Sequence, residues 1–140
     1  MFDVALGSAC SDISVSTSFD DAHPPENIID GKPDTFWATT GLFPQEFVLS
    51  FSSPVAISNI HIYTYNLKNI MVMRSTEHEA GAFKMLTKKE LERTSGSLQS
   101  QLIEVPKATV AQHLRFIIES AYDHFVAVYR VSVDGSQIQE

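Results

Sequence analysis

The chain has 140 residues, 44% of them apolar, which is enough for one ordinary domain with a real core. Ten basic against seventeen acidic residues leave a net charge of -7, and no basic stripe with interleaved aromatics occurs, which excludes nucleic acid as an expected partner. The opening Met-Phe-Asp-Val-Ala-Leu-Gly lacks a secretory pattern, and no run approaches the ~20 apolar residues of a membrane span, so neither an address nor membrane insertion is expected.

A single cysteine, Cys10, cannot close an internal disulfide, and no Asn-x-Ser/Thr acceptor is present, which favours the cell interior. With no base beside it, Cys10 reads as a small buried side chain.

Short runs rich in Val, Ile, Phe, Tyr and Thr, each stopped by Gly, Pro, Ser or Asn, predict an antiparallel β protein. The first, Asp12 to Thr17, puts Ile13 and Val15 on one face. A turn-rich stretch from His23 to Trp37 follows, in which the prolines and the Gly31 to Pro33 break allow only a short helical turn around Glu26 to Ile29. Trp37 reads as a core plug. Ala38 to Pro44 is an uncharged, partly apolar loop whose Thr39, Thr40, Leu42 and Phe43 are candidates for contacting a protein partner.

Glu46 to Phe51 is the next predicted strand, with Phe47, Leu49 and Phe51 together. Ser58 to Tyr65 sets Ile60, Ile62 and Thr64 against His61, Tyr63 and Tyr65 and reads as a strand covered on both sides. Asn69 to Arg74 and Ala82 to Leu86 come next. Lys88 to Arg93 fits a capped helix after Thr87, but Thr94-Ser95-Gly96 also fits a hairpin turn, and the hairpin is preferred. Leu98 to Val105, Leu114 to Glu119 and Phe125 to Val133 complete the strands, and the tail over 136–140 is expected to be loose. Many short strands without alternating helices imply one all-β domain over residues 1–140, an antiparallel β-sandwich of jelly-roll type.

The chemistry is concentrated in the loop. Asn27, Asp30, Asp34 and Thr35 bring hard oxygen donors to a turn that can also offer carbonyls, a set suited to calcium rather than to a softer metal. The EF-hand spacing is absent. On the residues alone a second reading stands beside this one, in which Asn27 and Asp30 simply form Asx turns and cap backbone groups.

No catalytic pattern emerges: there is no Gly-x-Ser-x-Gly elbow, no His-Glu-x-x-His pair and no phosphate loop. Asp123 and His124, adjacent on an extended chain, point to opposite faces and make a poor relay. A non-enzyme is expected.

Asn27-Ile-Ile-Asp-Gly, with Thr35 and Trp37 behind it, resembles the Asn-x-x-Asp-Gly-x-x-x-Thr-x-Trp signature of galactose-binding-like, or discoidin-type, domains. Gln112-His-Leu-Arg-Phe-Ile-Ile118 and Val131-Ser-Val-Asp-Gly135 are similar to the last two strands of that superfamily. More narrowly, His23 to Gly31, Thr40-Gly-Leu-Phe-Pro-Gln-Glu-Phe47, Leu114 to Ile118 and Ser120-Ala-Tyr-Asp-His-Phe125 resemble a family of small intraflagellar transport subunits.

That resemblance implies a calcium-binding jelly roll whose metal positions carry over to Asn27, Asp30 and Thr35. It also implies a stable heterodimer with a Rab-like small GTPase, intraflagellar transport protein twenty-seven, among the other subunits of complex B. The implied location is the cilium or flagellum and the cytoplasm near the basal body. Two departures bear on the sugar-binding relatives. Arg130 stands where many carry an acidic calcium ligand, and Ile118 where many carry a second arginine, so a discoidin-type carbohydrate-binding module is the weaker alternative.

Overall fold

The structure is a computed structural model, and it describes residues 2–3, 11–16, 25–30, 35–40, 44–77, 82–94, 97–122 and 125–137. In chain order these form β1 (Phe2–Asp3), β2 (Ser11–Ser16), a 3-10 helix (Pro25–Ile29), β3 (Trp37–Thr40), β4 (Gln45–Tyr65), β5 (Leu67–Ser75), β6 (Lys84–Glu90), β7 (Gln99–Ala121) and β8 (Phe125–Gln137). Cys10 lies outside the described residues.

Among the described residues every strand pair is antiparallel. Two strands do most of the organising. Laid straight, the 21 residues of β4 would reach about 70 Å at ~3.3 Å per residue, far beyond a domain whose expected radius of gyration is about 14 Å. β4 therefore has to bend, and its register shifts between Ser50 and Val55, around Ser52-Ser53-Pro54. β7 bends opposite the shift at Ile57/Asn59, where Thr109 Oγ1 donates to the Pro106 carbonyl at 2.5 Å. The two strands foreseen on either side of each bend are thus two halves of one strand.

Each half belongs to a different layer. In one, the first half of β4 lies between β2 and the second half of β7, followed by β5 and β6. In the other, β8 pairs with the second half of β4 on one side and with β1 and β3 on the other. Phe47 from the first layer meets Trp37 from the second edge-on at 5.3 Å between centroids, and stacks on Phe116 at 4.8 Å. Ile60, Ile62, Ile103, Leu114, Val131 and Val133 fill the remaining space between the sheets. The molecule is an antiparallel β-sandwich of jelly-roll type, and Trp37 plugs its core as its apolar bulk dictates, with no exposed surface.

Three expectations change. Part of the loop foreseen from Ala38 is strand β3, because its backbone completes the free edge of β8 through Thr39–Val126 and Thr40–Phe125. Lys88 to Arg93 is not helical, and β6 and β7 are not hairpin partners: β6 pairs with β5 and β7 with β4 and β5. The intervening chain crosses between layers instead. Ser136 and Gln137, expected in a loose tail, pair with Ala56 and Val55.

Gly135 marks a tight approach between strands. A Cβ there would sit 2.4 Å from the Ala56 carbonyl oxygen, a backbone atom that cannot move without separating β8 from β4. Gly135→Ala is expected to cost about 1–3 kcal/mol, read from the denaturation midpoint. An unchanged midpoint would show that the ladder yields freely there.

Candidate functional site

Pro25 opens the 3-10 turn, where its fixed φ suits a tight helix start. The turn is held by burial. Ile28 and Ile29 enter the core beside Trp37, and the helix packs against β2, β3 and β8. Between these apolar anchors the polar residues have few places to go.

Asn27 is half-buried and its Nδ2 donates to the Phe36 carbonyl at 3.0 Å. Because the amide is planar, this bond turns Oδ1 to the opposite side. Asp30 is exposed, and its Oδ2 accepts from Thr35 Oγ1 at 2.6 Å. The fold therefore brings Asn27, Asp30 and Thr35 together, two of them by direct contact and the third through the residue that follows Thr35. Asp34 lies outside the described residues.

The donor chemistry fits a hard cation. A carboxylate, a hydroxyl and an amide oxygen are of the type calcium accepts at about 2.3–2.6 Å, and two oxygens already in contact can share one ion. No cluster of three or more His, Cys, Asp or Glu side chains occurs among the described residues. A calcium ion here would draw its remaining oxygens from loop carbonyls or water.

Beside the loop lies a surface that sequence reasoning undervalued. Phe36, next to Thr35, packs against Tyr129 at 4.9 Å between centroids, and Tyr65 faces Phe125 at 6.3 Å. His61 stacks on Tyr63 at 4.5 Å, with its Nε2 2.7 Å from Ser100 Oγ. His61, Tyr63 and Tyr65 were expected under a second cover, yet all three are half-exposed. Leu98 and Leu102 flank them at 41% and 44% exposure, so apolar surface is on offer and not merely visible at an edge. Tyr65, Ser97, Leu98 and Tyr129 line a shallow groove of about 330 Å³. The signal in the sequence was the alternation His61, Tyr63, Tyr65, which carries no carboxylate and no lysine.

Two of the four candidates for partner contact are among the described residues. Thr39 and Thr40 belong to β3 at the margin of this face, while Leu42 and Phe43 lie outside the described residues, as do Asp123 and His124. Arg130 pairs in register with Tyr63 on β8. Ile118 is fully buried in the core. Ser50 Oγ and His113 Nδ1 stand 2.7 Å apart as ladder neighbours, and burial of His113 makes this a cross-strand polar pair within the sheet.

The model of the F5/8 type C domain matches residues 12–131. The chain is also 43% identical to the intraflagellar transport protein 25 homolog of Homo sapiens over 136 residues, covering 97% of this chain and 94% of that one. It belongs to the intraflagellar transport protein 25 family, built on an F5/8 type C domain. Intraflagellar transport protein 25 of Chlamydomonas reinhardtii is 35% identical over 123 residues, covering 88% of this chain and 64% of that one. Among solved structures, chitosan-binding module 1 of a Paenibacillus chitosanase/glucanase superposes with a TM-score of 0.80 at 15% identity, covering 96% of this chain and 100% of that one. That likeness establishes the sandwich and says nothing of a ligand. The same family membership accounts for why the loop motif and the last two strands are readable together.

Proposed function

We propose that the chain is a non-catalytic subunit of intraflagellar transport complex B that holds calcium in the Asn27–Thr35 loop and forms a stable heterodimer with a Rab-like small GTPase, intraflagellar transport protein twenty-seven. The observation that carries this reading is the 43% identity to a named transport subunit across 97% of the chain. An aromatic face beside the loop, with Arg130 opposite Tyr63, supports it, since interface centres are rich in tyrosine, phenylalanine and arginine. The decisive test is a pull-down between the purified proteins, and no complex at micromolar concentration would overturn the heterodimer.

Calcium contributes cross-linking rather than chemistry in this scheme. Asp30 would supply charge, Thr35 and Asn27 neutral oxygens, and the bound loop would hold Phe36 and the start of β3 in place. Saturating calcium is expected to raise the melting temperature by roughly 5–10 °C, corresponding to ~2.7 kcal/mol at a hundredfold excess over Kd. Asp30→Ala is expected to abolish the rise. Equal melting in calcium and in chelator would remove the metal from the account.

The second reading, a carbohydrate-binding module of discoidin type, draws on the Phe36–Tyr129 pair, whose rings could stack on a sugar. Specific signals on a glycan array would favour it over the transport role, and their absence together with a GTPase complex would dismiss it.

A further inference from the structure

β6 is the outer strand of its layer, hydrogen-bonded to β5 alone among the described residues. Its sequence, Lys-Met-Leu-Thr-Lys-Lys-Glu, carries three lysines in seven positions, a local excess of positive charge in a chain of net charge -7. Lys84 and Lys88 are exposed.

The face beside this edge gathers apolar side chains around one ion pair. Met85 is 61% exposed, the highest value among the large hydrophobic residues described, and lies directly opposite Met73. Met71 pairs across to Ile117 and toward the edge to Lys88, and all three hydrophobic neighbours, Met71, Met73 and Ile117, are half-exposed. Phe83 adds a ring 5.8 Å below the Arg115 guanidinium, which is itself paired with Glu46. Three of the chain's four methionines thus gather on one surface, and the unbranched thioether adapts to varied partners. Lysines alone would read as protection of an edge against unwanted pairing. Protection does not account for a methionine surface lying beside them.

We propose that the β6 edge receives an extended acidic segment of a partner protein as an added strand. Main-chain bonds to the open side of β6 supply the affinity, an apolar side chain of the segment covers Met85 and Met73, and carboxylates meet Lys84 and Lys88. Charge complementarity selects an acidic segment, with Glu90 at the end of the strand setting the limit of the basic stretch. The loop with Asn27 and Asp30 packs against β2, β3 and β8. In its layer β6 stands four ladder steps from β2, about 19 Å at ~4.8 Å per step, so the two surfaces can be altered separately.

The test is fluorescence anisotropy with a labelled extended peptide of valine and glutamate that carries glutamates on both of its faces, alongside the same peptide with lysine for glutamate. Saturable binding of the acidic peptide is expected, with slowed amide exchange across 84–90 and at least about tenfold weaker affinity in the K84E/K88E double variant. Met85→Glu, which leaves both lysines in place, is expected to weaken binding as well. No binding at millimolar peptide, equal affinity for both peptides, or protection elsewhere in the chain would overturn the proposal. So would concentration-dependent dimerisation blocked by Met85→Glu, which would make a second copy the occupant of the edge.

Discussion

Gln99→Leu is expected to lower stability by about 3–5 kcal/mol, a large share of the ~5–15 kcal/mol that holds a domain together. The reason lies in what the side chain replaces. Gln99 Oε1 accepts from Leu67 N and from Thr64 Oγ1, both at 2.9 Å, while its Nε2 donates to the Leu67 carbonyl at 2.7 Å and to the Glu92 carbonyl at 2.9 Å. One amide thus bonds both main-chain groups of Leu67, just past Asn66, which turns β4 into β5 with φ at 65°. It also ties the chain leaving β6 to the opening of β7.

Leucine fills similar space but leaves the fully buried Leu67 groups and the Thr64 hydroxyl without partners. Glu92 is exposed and water can replace its bond, so the cost comes mainly from the other three groups, at ~1 kcal/mol or more each. Thr64→Val removes only one donor and is expected to cost roughly 1 kcal/mol, which separates loss of the network from a change of volume. Urea titration of the two variants checks this, and a Gln99→Leu midpoint within error of the parent would sink it.

The Gln99 network also shows where sequence reading stops. Period-two alternation revealed the strands, because Phe47, Leu49, Ile60 and Ile62 had to face a core. It could not reveal that Glu46 to Phe51 and Ser58 to Tyr65 are one strand, since a bend at Ser52–Pro54 looks locally like a turn. Nor could it assign β6 its neighbour. Thr94-Ser95-Gly96 satisfies hairpin chemistry, but pairing is decided by distant residues, here the β5 partners of β6 and the β4 partners of β7.

The loop was more legible because its information is local. Asn27, Asp30 and Thr35 lie within nine residues, and the buried Ile28, Ile29 and Trp37 that hold them were visible as apolar punctuation in a polar stretch. The aromatic face was hidden for a different reason. Tyr63 and Tyr65 have the same alternation whether another layer covers them or not, and burial is a tertiary property.

Leu98→Glu combined with Phe125→Glu is expected to weaken the proposed GTPase heterodimer by more than about a hundredfold, equivalent to ~2.7 kcal/mol. Both side chains are partly exposed in the chain alone, at 41% and 37%, so the substitutions place charge on water-facing positions and leave the core intact. In a complex seated on this face, each carboxylate would be stripped of water beside Tyr65 or in the groove lined by Tyr65, Leu98 and Tyr129. The melting temperature, with and without calcium, should stay close to that of the parent, because both side chains are partly exposed and neither is one of the loop's oxygen donors. K84E/K88E at the β6 edge should bind the GTPase normally, which distinguishes loss at the aromatic face from a general effect of added negative charge. Titration calorimetry giving a Kd within threefold of the parent would move the GTPase to another surface, while leaving the calcium loop untouched. Conversely, chelation that weakens the heterodimer in the parent chain would tie the two sites together through Phe36, which adjoins Thr35 in sequence and Tyr129 in space.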